Sequence, residues 1–290
     1  MDFIRSDRGL VNDEREQIKQ YIYGCVAAIQ FLTILPIRMQ IEFEKNILHK
    51  SVIFFPVVGV ILGLIISLLG WGLSYAAPAN LGALLLVIVW IVLTGGLHLD
   101  GLMDSADGLL SSRNRDQMLD IMKDSRVGAF GVISAIVMIA LKWSSLAYLL
   151  HEVATKQISI AWLVLIIVGT AMWSRWWMVI AVSSWKPARS NGLASMFHGI
   201  RRQYVSAATT TTLFLYLMAL MIYAINVPLK YDFFWLALLI PMLSAIVGWV
   251  AAKWMKAKLG GLTGDTYGAM TELIEAVTLV IAVMFIHTVL

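Results

Sequence analysis

The sequence predicts an all-α fold: a polytopic integral membrane bundle of about seven transmembrane helices, plus an N-terminal interfacial or re-entrant segment. Three observations carry this. Of the 290 residues, 60% are hydrophobic and only 14% are charged, with a mean hydropathy of +0.81. A soluble domain of that length would lack the polar surface to cover itself. The apolar residues fall in long runs between short polar loops, most of them near the roughly 20 residues that cross a bilayer as a helix. Lysines and arginines collect in alternate loops. The same composition excludes other classes. The net charge of +4 reflects basic loops rather than a nucleic-acid surface. A lone Cys25 rules out an internal disulfide framework and a Cys-based metal site. No cleavable signal peptide is expected, because no small-residue cleavage site accompanies the first apolar run.

In chain order, residues 1–20 are polar and of mixed charge and predict a short surface helix. Residues 21–35 are apolar but end early, at Pro36, which suits an interfacial or re-entrant segment better than a span. Residues 52–77 are a clear span, Pro78-Ala79-Asn80 a turn, and 81–97 the return. Further spans follow at 127–150, 158–183, 206–226, 233–252 and 273–290, with short polar loops at 151–157 and 228–232. Residues 1–50, 98–126, 184–205 and 253–258 hold 18 of the 22 basic residues, and the opposite loops hold only Lys156 and Lys230. That bias puts the first set in the cytoplasm. The chain then reads as one membrane-embedded catalytic domain over 1–290, with a cytoplasmic N-terminal segment (1–20) and two cytoplasmic active-site segments, 98–126 and 253–272.

The first of those segments belongs to the stretch the chain is organised around. Residues 95–131 read GGLHLDGLMDSADGLLSSRNRDQMLDIMKDSRVGAFG and contain Asp100, Asp104, Asp107, Asp116, Asp120 and Asp124. The first three fall at i, i+4 and i+7, on one face of a helix. Three like charges side by side repel, and no lysines interleave them as on a solvated face. A divalent cation would relieve the repulsion, since hard cations take carboxylate oxygens and leave room for phosphates. Gly95, Gly96, Gly101 and Gly108 allow close approach of backbone or ligand. His98 falls on the opposite helix face from Asp100, so it is no metal ligand and is grouped with the substrate-binding candidates. Asp116 and Asp120 alternate with basic residues and read as a solvated face, whereas Asp124-Ser125-Arg126 closes the island against the next span.

The second motif, GGLTGDTYG at 260–268, runs into Thr271, Glu272 and Glu275. Thr263 suits a helix N-cap, and the glycine-rich turn with Gly264 presents backbone N–H groups to phosphate. Asp265, Glu272 and Glu275 share a helix face, and acids entering an apolar span are functional suspects. Arg175, amid Trp173, Trp176 and Trp177, and Lys142 also lie inside spans. Each either pairs with a buried anion or snorkels to the interface. Aspartates for a divalent metal, glycines and basic groups together suit phosphoryl transfer, in which the protein positions groups and neutralises charge.

GGLHLDGLMDSADGL resembles the signature of the cobalamin synthase family, the adenosylcobinamide-GDP ribazoletransferases. The likeness continues through KDSRVGAFG and GGLTGDTYGAMTE, and earlier through FLTILP at 31–36 and FFPVVGVILG at 54–63. Met103 stands where that family usually has alanine. The resemblance implies the last nucleotide-loop assembly step of adenosylcobalamin synthesis. Adenosylcobinamide-GDP and α-ribazole, or α-ribazole 5′-phosphate, give adenosylcobalamin, or its 5′-phosphate, and GMP. It also implies Mg2+ held by Asp100, Asp104 and Asp107, with Asp124 as a further ligand. Asp265 or Glu272 would take the hydroxyl proton beside catalytic Asp104. Gly96, His98, Arg126, Lys142, Arg175 and Gly264 would bind substrate. The site would face the cytoplasm of a prokaryotic inner membrane, with the lipid bilayer, other corrinoid-pathway enzymes and a second copy of the chain as candidate partners. A CDP-alcohol-type phospholipid phosphotransferase is the alternative enzyme, since DG-x-x-D-x-x-D at 100–107 is similar to that motif. A membrane transporter is the alternative outside enzymes, although no internal repeat supports it.

Overall fold

The computed structural model describes residues 2–226 and 231–289. Its elements run α1 (Asp2–Leu32), α2 (Lys45–Ser51), a 3-10 turn (Val52–Phe54), α3 (Phe55–Ala76), α4 (Ala79–Leu93), α5 (Leu97–Leu109), α6 (Arg115–Ile121) and α7 (Ala129–Ala154), then α8 (Ile160–Ser184), α9 (Leu193–Met196), α10 (Arg202–Asn226), α11 (Tyr231–Leu259) and α12 (Gly264–Val289). Among the described residues there is no β-sheet. Among the described residues, six helical segments are long and apolar enough to cross a membrane. A seventh crossing results if α4 and α5, bent by 87° at their junction, count as one broken span. The chain is an integral membrane protein of the all-α class, as its composition predicts.

Two expectations change. The separate surface helix at 1–20 and the short segment at 21–35 are one continuous helix, α1, which is not among the candidate spans. The return span at 81–97 stops at Leu93. Gly95 (φ 62°) and Gly96 (φ 71°) are both left-handed, a conformation that glycine adopts without steric cost. These two residues turn the chain, and the first three aspartates ride on α5, the helix that their spacing predicts. Of the short loop expected at 228–232, residues 228–230 lie outside the described residues.

α8 is apolar all round and is the most enclosed helix, as a central helix must be. It meets α3 through glycines: a Cβ on Gly63 would sit 2.5 Å from the Cα of Val168, and one on Gly59 would sit 2.7 Å from the Cα of Met172. Small residues four apart let membrane helices touch backbone to backbone, where dispersion replaces the hydrophobic effect as the driving force. The buried residues form two clusters. One contains Phe55, Met178, Phe197 and Tyr267. The other contains Leu86, Leu150, Trp162 and Phe233.

At the end of the bundle that holds the first cluster, three connections are tied together. Arg115 donates from Nε to the Leu259 carbonyl (2.8 Å) and from Nη2 to the Ala188 carbonyl (2.8 Å). Lys258 reaches the Leu109 carbonyl (2.9 Å), and Arg189 the Leu119 carbonyl (2.5 Å). A single parallel bridge joins Pro187 to Leu262. The loops that the charge count put on one side are therefore neighbours in space.

Gly63→Leu should push α3 from α8 and destabilise by at least about 1–3 kcal/mol. The readout is a lower unfolding temperature in detergent. Leu64→Ala, next to it on the exposed face, should leave that temperature unchanged; equal behaviour of the two would refute the packing.

Candidate active site

The two motifs meet where α5 crosses α12. A Cβ on Gly101 would sit 2.7 Å from the carbonyl oxygen of Asp265, and one on Gly268 would sit 3.1 Å from the Cα of His98. At Gly101 only glycine permits that approach, at Gly268 a side chain would be tight, and the contact sets Asp100 beside Asp265. The start of α12 is fixed by a reciprocal pair: Thr263 N–H donates to Thr266 Oγ1 (2.9 Å) and Thr266 N–H to Thr263 Oγ1 (3.3 Å). The expected cap at Thr263 is thus present, and its hydroxyl also donates to Asp265 Oδ2 (3.3 Å).

Asp100, Gly101, Gly264, Asp265 and Gly268 line a cavity of about 230 Å3, together with Phe31, Phe55, Met178, Val182 and Phe197 and with His98 and Tyr267. A smaller recess of about 100 Å3 adjoins it at Thr263, Gly264 and Asp265 and carries Arg189 and Asn191. Asp104, one turn beyond Asp100, lies in the field of Asp100, Asp265 and Asp107, and Arg189 is the cation facing them.

Asp107 is committed elsewhere. It accepts from Gly128 N–H (2.7 Å) and Gly131 N–H (2.8 Å) at the start of α7, so both its oxygens satisfy orphan donors of a helix N-terminus. A side chain at Gly128 or Gly131 would collide with that carboxylate. Among the described residues, no three His, Cys, Asp or Glu side chains stand close enough together to hold one ion. Mg2+ does not demand such a cage: it binds through one or two carboxylates plus substrate phosphates. Asp100, Asp104 and Asp265, hard oxygen donors crowded with one another, fit that mode of binding.

Several expected site residues are placed otherwise. Lys142, Arg175 and Glu272 point at one another rather than at a diphosphate. Lys142 Nζ lies 2.7 Å from Glu272 Oε2 and 2.5 Å from Glu275 Oε2, and Arg175 Nη1 pairs with Glu275 Oε1. These side chains are 3%, 0%, 6% and 0% exposed in the order Lys142, Arg175, Glu272, Glu275. Buried charges must pair, and this set is neutral overall. It removes Lys142 and Arg175 as phosphate ligands and Glu272 as the proton acceptor. His98 lines the cavity, but its Nε2 is buried without a hydrogen-bond partner among the described residues. Its charge environment is that of Arg175, Glu275 and Lys142. Gly96 serves the chain turn, with open space around its Cα. Asp124 and Arg126 pair with each other at the surface (2.6 Å), with Arg126 88% exposed. The Arg126 guanidinium and backbone N–H hold the Asp124 carboxyl down to about 2, and Asp124 does not join the other aspartates as a metal ligand.

Two features of the site carry no signal of their own in the sequence. Arg189 reads as one member of a basic loop, and nothing in the sequence ties it to Asp265. Phe31 and Phe55 lie in the FLTILP and FFPVVGV stretches, whose apolar character reads as membrane-embedded packing until the cavity is seen.

Glu275→Gln would leave buried Arg175 without its carboxylate and Lys142 with Glu272 alone. It should cost about 3–5 kcal/mol, measured as a lower unfolding temperature in detergent. Asp104→Asn removes one of several crowded like charges and should leave that temperature unchanged or raise it. The opposite pattern would reverse the structural and chemical assignments of the two clusters.

A family model described as cobalamin-5-phosphate synthase matches residues 24–283. Three relatives carry the name adenosylcobinamide-GDP ribazoletransferase. The Roseiflexus sp. (strain RS-1) protein is 34% identical over 87% of this chain and 86% of its own length. The Herpetosiphon aurantiacus protein is 35% identical over 91% and 97%, and the Desulfitobacterium hafniense (strain Y51) protein 39% identical over 86% and 91%. No solved structure matches the chain.

Proposed function

The chain belongs to the cobalamin-5-phosphate synthase family, and we propose that it is an adenosylcobinamide-GDP ribazoletransferase whose chemistry takes place between α5 and α12. The observation that carries this is the cavity bordered by Asp100 and Asp265, with Asp104 within their field and Arg189 opposite. The alternatives of a phospholipid phosphotransferase or a transporter gain nothing from the family match.

In the reaction, the ribose 3′-hydroxyl of α-ribazole, or of its 5′-phosphate, attacks the phosphorus on the corrinoid side of the donor's diphosphate. A new P–O bond forms, the bridging P–O bond breaks, and GMP leaves with the bonding pair. The hydroxyl proton passes to a carboxylate. Asp265 fits this part, because it lines the cavity whereas Glu272 is paired with Lys142. Arg189, in the recess that adjoins Asp265, would meet the leaving phosphate's charge. Mg2+, held by Asp100 and Asp104 with Asp265 adjacent, would supply charge neutralisation to the diphosphate. Asp107 contributes by fixing α7 against α5.

The basic-residue bias supports a cytoplasmic site in a prokaryotic inner membrane. The carbonyl contacts of Arg115, Lys258 and Arg189 gather the basic loops at the same end as the cavity.

Purified protein in detergent should release GMP from adenosylcobinamide-GDP when α-ribazole is supplied, and EDTA should abolish the release. Asp104→Asn should lose at least about a hundredfold, or roughly 2.7 kcal/mol of barrier. Full turnover in EDTA would sink the metal assignment.

The orientation has its own check. In a Cys25→Ser background, Ala154→Cys should react with an impermeant thiol reagent in intact cells and Ser112→Cys should not; labelling at 112 would invert the topology.

A further inference from the structure

The cavity between α5 and α12 has two unlike sides. Asp100 and Asp265 form one. The other is mostly carbon and a thioether, Phe31, Phe55, Phe197, Met178 and Val182, with His98 and Tyr267 as its polar side chains. The three phenylalanine rings pack with centroids 6.0–6.1 Å apart. They come from α1, α3 and the residue after α9, and Met178 and Val182 come from α8. This wall is built by tertiary assembly and is not the lipid-facing stripe of any one helix; Phe55 and Phe197 are buried behind Phe31, the ring of the three that keeps surface for a ligand. A diphosphate or a sugar gains nothing from such a wall, because its polar atoms would be desolvated without partners.

We propose, resting on the function above, that this wall holds the flat, methyl-bearing aromatic base of the acceptor nucleoside, with its ribose turned to Asp100 and Asp265. Size agrees. A bicyclic aromatic base with two methyl groups has a van der Waals volume of roughly 140 Å3, or about 190 Å3 at protein packing density, and the cavity holds about 230 Å3. The corrin macrocycle is several times too large. Polarity agrees as well. The dimethylbenzimidazole of α-ribazole presents aromatic faces, two methyl groups and one ring-nitrogen acceptor. The guanine of the donor carries three acceptors, O6, N7 and N3, and the mostly apolar wall offers only His98 and Tyr267 to meet them, which leaves polar atoms unpaired. Aromatic rings favour offset and edge-on contacts with one another, and the tilted trio offers both. The attacking hydroxyl belongs to the ribose joined directly to the base. Seating the base on the phenylalanines therefore delivers the sugar to the two carboxylates.

Equilibrium binding of α-ribazole to the full-length protein in detergent, without donor, tests this in wild type, Phe197→Ala and Val182→Phe. One variant removes wall and the other fills the cavity, so a shared loss reports the cavity itself. Each should weaken α-ribazole binding at least tenfold and raise its KM in turnover, with the KM for adenosylcobinamide-GDP within about twofold of wild type. Ribose 5-phosphate and GMP should not displace α-ribazole. Should Phe197→Ala fail to fold, Val182→Phe and Met178→Trp carry the same test. Wild type that binds no α-ribazole, variants that bind it normally, or a rise confined to the donor's KM would overturn the proposal. Displacement by GMP would assign the cavity to guanine instead. Wild type that binds α-ribazole through this wall yet releases no GMP would overturn the catalytic reading and leave the base subsite standing.

Discussion

Everything at the site depends on two backbones touching. α5 and α12 are about 150 residues apart in sequence, and they meet only because Gly101 and Gly268 carry no Cβ. In a bilayer no hydrophobic force drives helices together, so shape at the contact decides whether they associate. Here the shape is set by single hydrogen atoms. A methyl group at Gly101 would meet the Asp265 carbonyl oxygen at 2.7 Å and force the backbones apart, and one at Gly268 would crowd the His98 backbone at 3.1 Å.

The protein separates its charges by purpose. Lys142, Arg175, Glu272 and Glu275 sum to zero and satisfy one another inside the bundle, which makes burial tolerable. Asp100, Asp104 and Asp265 sum to a strongly negative group with Arg189 as the nearby cation. Such an imbalance is unfavourable without a ligand and favourable with one. Asp107 stands between these cases, its sequence spacing placing it with the metal candidates and its hydrogen bonds placing it at the N-terminus of α7. The i, i+4, i+7 spacing correctly put three acids on one helix, but helix spacing says nothing about which neighbour a carboxylate turns to.

The fold class and most spans were legible because bilayer thickness imposes a run length that composition alone reveals. The pairing of the 95–131 and 260–276 motifs was legible from charge: both carry acids, and both border basic loops. Three things were not legible. The break at Gly95-Gly96 reads as a permissive dipeptide, and only its two left-handed φ angles turn it into a corner. The pairing of Lys142 with Glu272 spans 130 residues, and a single sequence does not encode which buried cation meets which buried anion. Arg189 was hidden among residues whose presence the positive-inside rule already explained.

The bridge between Pro187 and Leu262 has a mechanical consequence. Ala188 N–H donates to the Leu262 carbonyl and Leu262 N–H to the Lys186 carbonyl, and Gly261 is pressed against the same strand-like segment. Arg189 is two residues from one end of this clasp, and Asp265 is three residues from the other. The backbones that carry the cation and the acid are thus mounted on a common bracket, and the Arg189 guanidinium is braced a second time by the Leu119 carbonyl. The clasp couples the 185–192 loop to the start of α12, and the Leu119 bond couples the same loop to α6.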